Sequence, residues 1–299
     1  MNFNLKNQMP KEVENFKKII KGKLKDYIDR DYNSMEEMDQ KDVVTKALYA
    51  GYLDTCRTIN WKGQTDENRQ FIVEQIFKDS VVDRIAKCMK EENSGETENE
   101  KQKNFDMMHH ELCEKMIKAF SKEIMITYGQ AQKIINMAFK YLYCFQSIDR
   151  KYFKNCHMPL DSFTLEWLYR ACLRGEKIEG LEKNLSVRGQ GKYVKKDAIG
   201  TWSSIKYDTE ENKDKCTYLF YLKLLRQKFV NECLLEMDFY IWPRIQKILA
   251  TEAFIKTFKD DNKGQFNDST EEKNEDYQIN KLENTLQNKL HIVKNIMDS

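Results

Sequence analysis

The chain has 299 residues, of which 40% are hydrophobic and 12% aromatic, so it can form one large or two small domains with a true core. Its 50 basic and 48 acidic residues leave a net charge of +2, which excludes a histone-like protein held on nucleic acid by overall charge. Any contact with nucleic acid must therefore come from a local patch.

The cysteines and the hydropathy pattern bear on the cellular compartment. Eight cysteines are scattered without paired spacing, and neither a signal peptide nor an apolar run long enough for a membrane is present. These observations predict a cytoplasmic protein with reduced thiols and no membrane partner.

The first part of the chain is predicted to be helical. Apolar residues recur at helical spacing over residues 11–30, 41–58 and 67–91, whereas residues 91–104 contain none and are predicted to form a surface loop. The next predicted helix, 105–123, contains His109, His110 and Cys113. Adjacent histidines on a helix diverge by about 100°, so this pattern does not indicate a metal site. We expect neither a metal nor another cofactor.

Residues 127–175 differ from the Lys/Asn-rich sequence around them. A turn with Gly129 and Ala131 opens a strongly apolar helix, and such small residues allow a second backbone to approach closely. The N–H groups of the helix start are expected to point outward, where they can bind phosphate. Lys133 lies beside this predicted phosphate site.

A second helix start follows at Pro159-Leu160-Asp161. Asp161 is predicted to be at or near the N-cap, where a carboxylate is stabilised in its ionised form. An amine and a carboxylate at two neighbouring helix starts are candidates for a nucleophile and a charge stabiliser. N-capping aspartates and helix-start lysines are common, so the spacing fits a structural role as well.

The run Gly129-Gln130-Ala131-Gln132-Lys133 resembles the hairpin of the helix-hairpin-helix DNA glycosylases, in particular the archaeal 8-oxoguanine type. Pro159-Leu160-Asp161, with Arg170 near the helix end, resembles the P-x-D helix start of the same family. The resemblance implies an all-α, glycosylase-like fold that acts on double-stranded DNA. It implies that Lys133 attacks the sugar C1′, that Asp161 stabilises the charge on the sugar, and that residues 129–132 contact DNA.

The chain departs from the family pattern at several points. Ala131 replaces the second hairpin glycine, and Met137 stands where some members carry an aromatic residue that stacks on the base. The four-cysteine cluster that other members carry near the C-terminus is absent, so no iron–sulfur cluster is expected.

Further candidates flank this stretch. Lys192 and Lys195 belong to a glycine-rich basic segment, 176–200, which could contact the phosphate backbone or be an ordinary solvated loop. Trp202 could stack on a flipped base or lie in the core. His157 could orient Asp161, contact a phosphate or be a simple loop histidine. Together, Met137, Trp202 and His157 form the predicted base pocket.

The C-terminal part is predicted to contribute two helices to the core, followed by a linker and a separate helix. Residues 217–250 are strongly aromatic and predict two helices, so a helical body would cover residues 1–258. Residues 259–278 are polar and predict a linker. Apolar residues near heptad spacing predict an amphipathic helix over 279–299, which could dock on the body, self-associate or bind a partner.

Three functional hypotheses follow. The first is a DNA glycosylase with AP lyase activity that excises a damaged or modified base, with an oxidised purine such as 8-oxoguanine favoured. The second is a helix-hairpin-helix protein that binds nucleic acid without catalysis. The third is a helical interaction protein whose tail recruits a partner.

Overall fold

A computed structural model describes residues 5–20, 24, 29–61, 66–90, 96–145, 147–173, 201–209 and 217–262. Lys192, Lys195 and the predicted tail 279–299 lie outside these residues. Every regular element in this part of the chain is helical, so the predicted all-α class is confirmed.

Nine α-helices lie within the described residues. They are α1 (Leu5–Ile20), α2 (Glu37–Leu53), α3 (Asp66–Ser80), α4 (Val82–Cys88), α5 (Glu98–Phe120), α6 (Tyr128–Tyr143), α7 (Ser162–Leu168), α8 (Tyr218–Lys228) and α9 (Leu234–Asn262). A π-helical turn, Tyr169–Leu173, continues α7, and a short 3-10 turn, Trp202–Ser204, precedes α8.

Helix α6 is the centre of the fold, and all of its residues are buried. It packs against α2 and α5 and also meets the Trp202–Ser204 turn. Thr127 starts the helix with a capping box, in which its side chain accepts from the Gln130 N–H and the Gln130 side chain accepts from the Thr127 N–H. A helix buried on every side requires the wide apolar surface that this sequence provides.

Helices α2 and α6 approach each other backbone to backbone. A Cβ atom added to Gly51 would lie 2.6 Å from the carbonyl oxygen of Ile134 and 3.2 Å from the Cβ of Met137. Only a glycine fits at such a separation, and this contact brings the end of α2 beside the first turns of α6.

Several sequence predictions differ from the observed helices. The helix predicted over residues 11–30 is observed as α1, Leu5–Ile20, and Leu24, Asp29 and Arg30 are not helical. Helix α5 begins at Glu98, inside the predicted loop 91–104, because Thr97 and Glu100 form a capping box that starts the helix without any apolar residue. The helix predicted over 67–91 is two helices, α3 and α4, with a break at Val81, whose backbone leaves the helical region.

Helix α9 is continuous through Pro243 and ends at Asn262, so its last four residues lie inside the predicted linker 259–278. None of the described helices combines the length and the apolar character that a membrane crossing requires.

Candidate active site

The structure brings Lys133 and Asp161 together. The Nζ atom of Lys133 lies 3.7 Å from Oδ2 of Asp161, and 11% of each side chain is exposed. Lys133 is presented by α6 and Asp161 by the start of α7, so the two predicted helix starts converge on one ion pair at the edge of the core.

Two further groups contact the Lys133 ammonium. It donates to the carbonyl oxygen of Asp54 at 3.2 Å, and Asp54 is the C-cap of α2. The unpaired carbonyls at a helix C-terminus carry partial negative charge, which favours a cation there. The ring of Trp202 lies 4.5 Å from Nζ, within the range of a cation–π contact. The ammonium is thus held by a carboxylate, a carbonyl and an aromatic face.

Asp161 is the N-cap of α7, as predicted. Its Oδ1 accepts from the N–H groups of Phe163 at 2.9 Å and Thr164 at 3.0 Å, while Oδ2 is the oxygen nearest Lys133. One carboxylate oxygen therefore fixes the side chain to the helix start, and the other is available to a positive charge beside it.

Gly129 allows a close approach of a second backbone, but that backbone belongs to the protein. A Cβ at Gly129 would lie 2.2 Å from the carbonyl oxygen of Trp202, and the Gly129 N–H donates to the carbonyl of Ile205 at 3.1 Å. Thr127 donates to the carbonyl of Ser203 at 2.5 Å. These contacts place the Trp202–Ser204 turn on the start of α6 and thereby bring Trp202 over Lys133.

The expectation that the first N–H groups of α6 point outward is wrong for Gly129 and Gln130. The first donates to Ile205, and the second donates to the side chain of Thr127 at 3.1 Å. Gln130, Ala131 and Gln132 are likewise buried. The DNA contact predicted for residues 129–132 stays a prediction, and in this structure these residues form the frame of the site.

Met137 and His157 lie apart in the structure. Met137 is 8% exposed, and its Cβ packs against Gly51 between α6 and α2. His157 is buried in a polar cluster, where its two ring nitrogens lie 2.9 Å from the Tyr218 hydroxyl and 2.8 Å from Oδ1 of Asp106. Within the predicted base pocket, the Trp202 ring contacts the Lys133 ammonium.

The buried polar cluster has shifted protonation equilibria. Burial lowers the pKa of His157, although the neighbouring Asp106 acts in the opposite direction. Burial opposes ionisation of Asp106 as well, but hydrogen bonds from His157 and Arg226 outweigh it and hold the pKa of Asp106 well below its usual range. The neutral imidazole and the ionised carboxylate therefore coexist inside the fold.

Asp54 and a second buried lysine pair were not predicted from the sequence. Oδ2 of Asp54 accepts a short hydrogen bond from the hydroxyl of Tyr141, next to Lys133. Lys140 and Asp238 form an ion pair of 2.5 Å deeper in the core. The available signal was a second lysine in a strongly apolar helix, because a lysine that is buried there needs a partner.

Among the described residues, no group of three or more His, Cys, Asp or Glu side chains is arranged to hold a metal ion. No protein-family model, no curated protein and no solved structure matches the chain.

Proposed function

We propose that this protein is a helix-hairpin-helix DNA glycosylase with AP lyase activity that acts on double-stranded DNA. The observation that carries the proposal is the pairing of Lys133 with Asp161 at 3.7 Å, from two helix starts, in a site that is open to solvent at its edge. An amine beside a carboxylate is the arrangement that attack on a sugar carbon and stabilisation of its positive charge require.

In the proposed reaction, the neutral amine of Lys133 attacks C1′ of the target nucleotide, and the N-glycosidic bond breaks as the base leaves with its electron pair and takes up a proton. Asp161 stabilises the positive charge that develops on the sugar. Loss of the amine proton and opening of the sugar ring give a Schiff base. Removal of a C2′ proton then breaks the C3′–O3′ bond, and water releases the lysine.

The proposed base pocket includes Trp202. A target base must leave the duplex to reach a buried amine, and an aromatic face offers a stacking surface to the extruded base. The Trp202 ring already contacts the ammonium at 4.5 Å, so a base that stacks there would place its sugar close to the nucleophile. An oxidised purine such as 8-oxoguanine is the favoured substrate, on the resemblance noted above.

A second candidate is a helix-hairpin-helix protein that binds nucleic acid without catalysis. The observation that favours it is that the carboxylate of Asp161, the carbonyl of Asp54 and the ring of Trp202 all engage the Lys133 ammonium. A lysine held in this way could serve as a structural cation.

Borohydride trapping separates the two candidates, since reduction fixes a Schiff base as a covalent protein–DNA adduct. We expect the native protein to form an adduct with duplexes that contain an abasic site or 8-oxoguanine, and Lys133→Gln to form none. Lys46→Gln is the matched control, because Lys46 is also a paired lysine, 2.9 Å from Glu74. It should leave the adduct unchanged.

An adduct with the abasic duplex alone would support the lyase step and refute 8-oxoguanine as the substrate. An adduct that survives in Lys133→Gln would refute Lys133 as the nucleophile. Tight duplex binding without any adduct would support the non-catalytic candidate.

A further inference from the structure

We propose that Gln132 is a positioning residue that sets the distance between Lys133 and Asp161. The inference rests on the proposed function, because it assigns a role to a residue next to the proposed nucleophile. Gln132 is fully buried, so it acts on the site through the residues that its side chain holds.

The amide of Gln132 binds both backbone groups of Leu160. Its Nε2 donates to the carbonyl of Leu160 at 2.8 Å, and its Oε1 accepts from the Leu160 N–H at 3.3 Å. Nε2 also donates to the carbonyl of Gly129 at 2.9 Å. Because Gln132 precedes Lys133 and Leu160 precedes Asp161, this paired contact links the two partners of the ion pair through adjacent residues.

The segment before Asp161 is held by side chains of the neighbouring helices. Three successive carbonyls are each held by a side chain: that of Met158 by Asn136 at 3.3 Å, that of Pro159 by Thr164 at 2.9 Å and that of Leu160 by Gln132. The segment lies outside any helix, and Pro159 has no N–H to donate. Its position relative to α6 therefore depends on the amides of Gln132 and Asn136 and on the packing of the buried Met158 and Leu160 side chains, while the Thr164 hydroxyl ties it to α7.

Asn136 supports Gln132 one turn further along α6. Its Nδ2 donates to Oε1 of Gln132 at 3.1 Å and to the hydroxyl of Tyr218 at 3.0 Å. The Gln132 amide is thus fixed at both ends, and a fully satisfied buried amide has one favoured orientation. Displacement of a reacting group by about 1 Å can cost about 100-fold in rate, so this restraint matters for catalysis.

Three variants test the role of Gln132. Gln132→Met keeps the approximate volume and removes the amide. Gln40→Met is the matched control, because Gln40 is also a buried glutamine, which donates to the carbonyl of Tyr32 at 2.9 Å, far along the chain from the site. Thr164→Val removes the hydrogen bond to Pro159 and tests the same segment if Gln132→Met does not fold.

The first measurement needs no DNA. Reductive methylation of Lys133 is followed by mass spectrometry in folded protein, with Asp161→Asn as the reference for loss of the carboxylate. Because Asp161 both pairs with and covers the ammonium, we expect Gln132→Met and Thr164→Val to raise the labelling rate of Lys133 at least about threefold, in the direction of Asp161→Asn. An unchanged rate in the folded variants would overturn the inference.

The second measurement is the single-turnover rate of adduct formation, compared with the affinity for the same duplex. We expect Gln132→Met to slow adduct formation about 10- to 100-fold with the Kd within about threefold, and Gln40→Met to change neither. An equal loss in Gln40→Met, or a loss confined to Kd, would overturn the positioning role. If the native protein forms no adduct, the proposed function fails, and the labelling rates still decide whether Gln132 positions the pair.

Discussion

Helix α6 carries two lysine–aspartate pairs that differ in their construction. Lys133 and Lys140 are seven residues apart and therefore project from nearly the same side of the helix. The first pair spans 3.7 Å with 11% of each side chain exposed, whereas the second spans 2.5 Å with side chains 2% and 3% exposed. The same two functional groups thus form one loose pair at the edge of the core and one closed pair inside it.

The surroundings of the inner pair explain the difference. The rings of Phe16 and Phe239 lie 4.4 and 4.8 Å from Nζ of Lys140 and exclude water. Burial raises the pKa of Asp238, and the Lys140 ammonium opposes this shift. In Asp161, by contrast, one carboxylate oxygen accepts the hydrogen bonds that cap α7, and the other oxygen faces Lys133. A closed pair is costly to break, while a loose pair leaves its amine able to find another partner.

The largest expected effect comes from the same substitution at the two lysines. Lys140→Met leaves the buried Asp238 carboxylate without its cation and should lower the free energy of unfolding by about 3–5 kcal/mol. Lys133→Met breaks a longer pair at the edge of the core, 3.7 Å with 11% of each side chain exposed, and should lower it by less than Lys140→Met does. Urea denaturation of both variants measures the contrast.

The double variant Lys140→Met/Asp238→Leu is the control for the inner pair. Removal of both charges should recover most of the lost stability, because an apolar replacement of similar size leaves no buried unpaired charge. Equal losses at Lys133 and Lys140 would show that the two pairs do not differ in the way that the geometry indicates.

A smaller effect is expected from Gly129→Ala. A new Cβ would meet the Trp202 carbonyl at 2.2 Å, so the Trp202–Ser204 turn must shift. Overpacking of this kind typically costs about 1–3 kcal/mol. The substitution should also raise the reductive methylation rate of Lys133, which loses the cover of the Trp202 ring, without exposing Lys140.

Mass spectrometry of the two labelled lysines, together with urea denaturation, checks this prediction. Alanine exceeds glycine in helix propensity by about 1 kcal/mol. A net gain of stability in Gly129→Ala would therefore mean that the turn does not press on the helix start.

The smallest expected effect is a pH dependence of the folding stability, and it comes from the buried histidines and not from the two lysine pairs. Burial lowers the pKa of His157 and lowers that of His109 well below its ordinary value, so both stay neutral in the fold at a pH where the unfolded chain takes up protons. The unfolded state then binds more protons, and stability falls as the pH drops below about 6.5, with a limiting slope of about 1.4 kcal/mol per pH unit for each proton.

Denaturation curves at pH 7.5 and 5.5 measure this slope. His157→Gln should reduce it, while Asp106 keeps its two hydrogen bonds from Arg226. His110→Gln, at a half-buried histidine stacked on Tyr207, is the matched control and should retain the slope. A slope that is unchanged in His157→Gln would contradict the neutral, buried state of this side chain.

The elements that could be predicted from the sequence are those whose signal lies in neighbouring residues. The periodic apolar stripes predict the helical class, and the residue order Pro-Leu-Asp predicts the cap at Asp161 that the structure shows. Helix α5 was predicted too short because a capping box, Thr97 to Glu100, needs no apolar residue. Each cap depends on fewer than five consecutive residues, and each apolar stripe lies within a single helix.

The surroundings of the site depend on contacts between distant parts of the chain. Asp54 reaches Lys133 because Gly51 lets α2 approach α6, and Trp202 reaches it because Gly129 admits the turn 202–204. His157, although it is four residues from Asp161, binds Asp106 instead. Spacing along the chain does not reveal which of several polar groups a side chain will contact, since tertiary packing decides that.

The burial of α6 on every side has a consequence for the dynamics of the site. An amide in such a helix exchanges its hydrogen with solvent mainly when the whole domain opens, because no face of the helix can fray independently. The backbone of Lys133 therefore keeps its place for as long as the protein is folded. In the proposed reaction, a nucleotide would reach Lys133 by displacing the Trp202–Ser204 turn, which the hydrogen bonds of Thr127 and Gly129 join to the start of α6. The candidate nucleophile would then be the stationary part of the site, and its aromatic cover the part that moves.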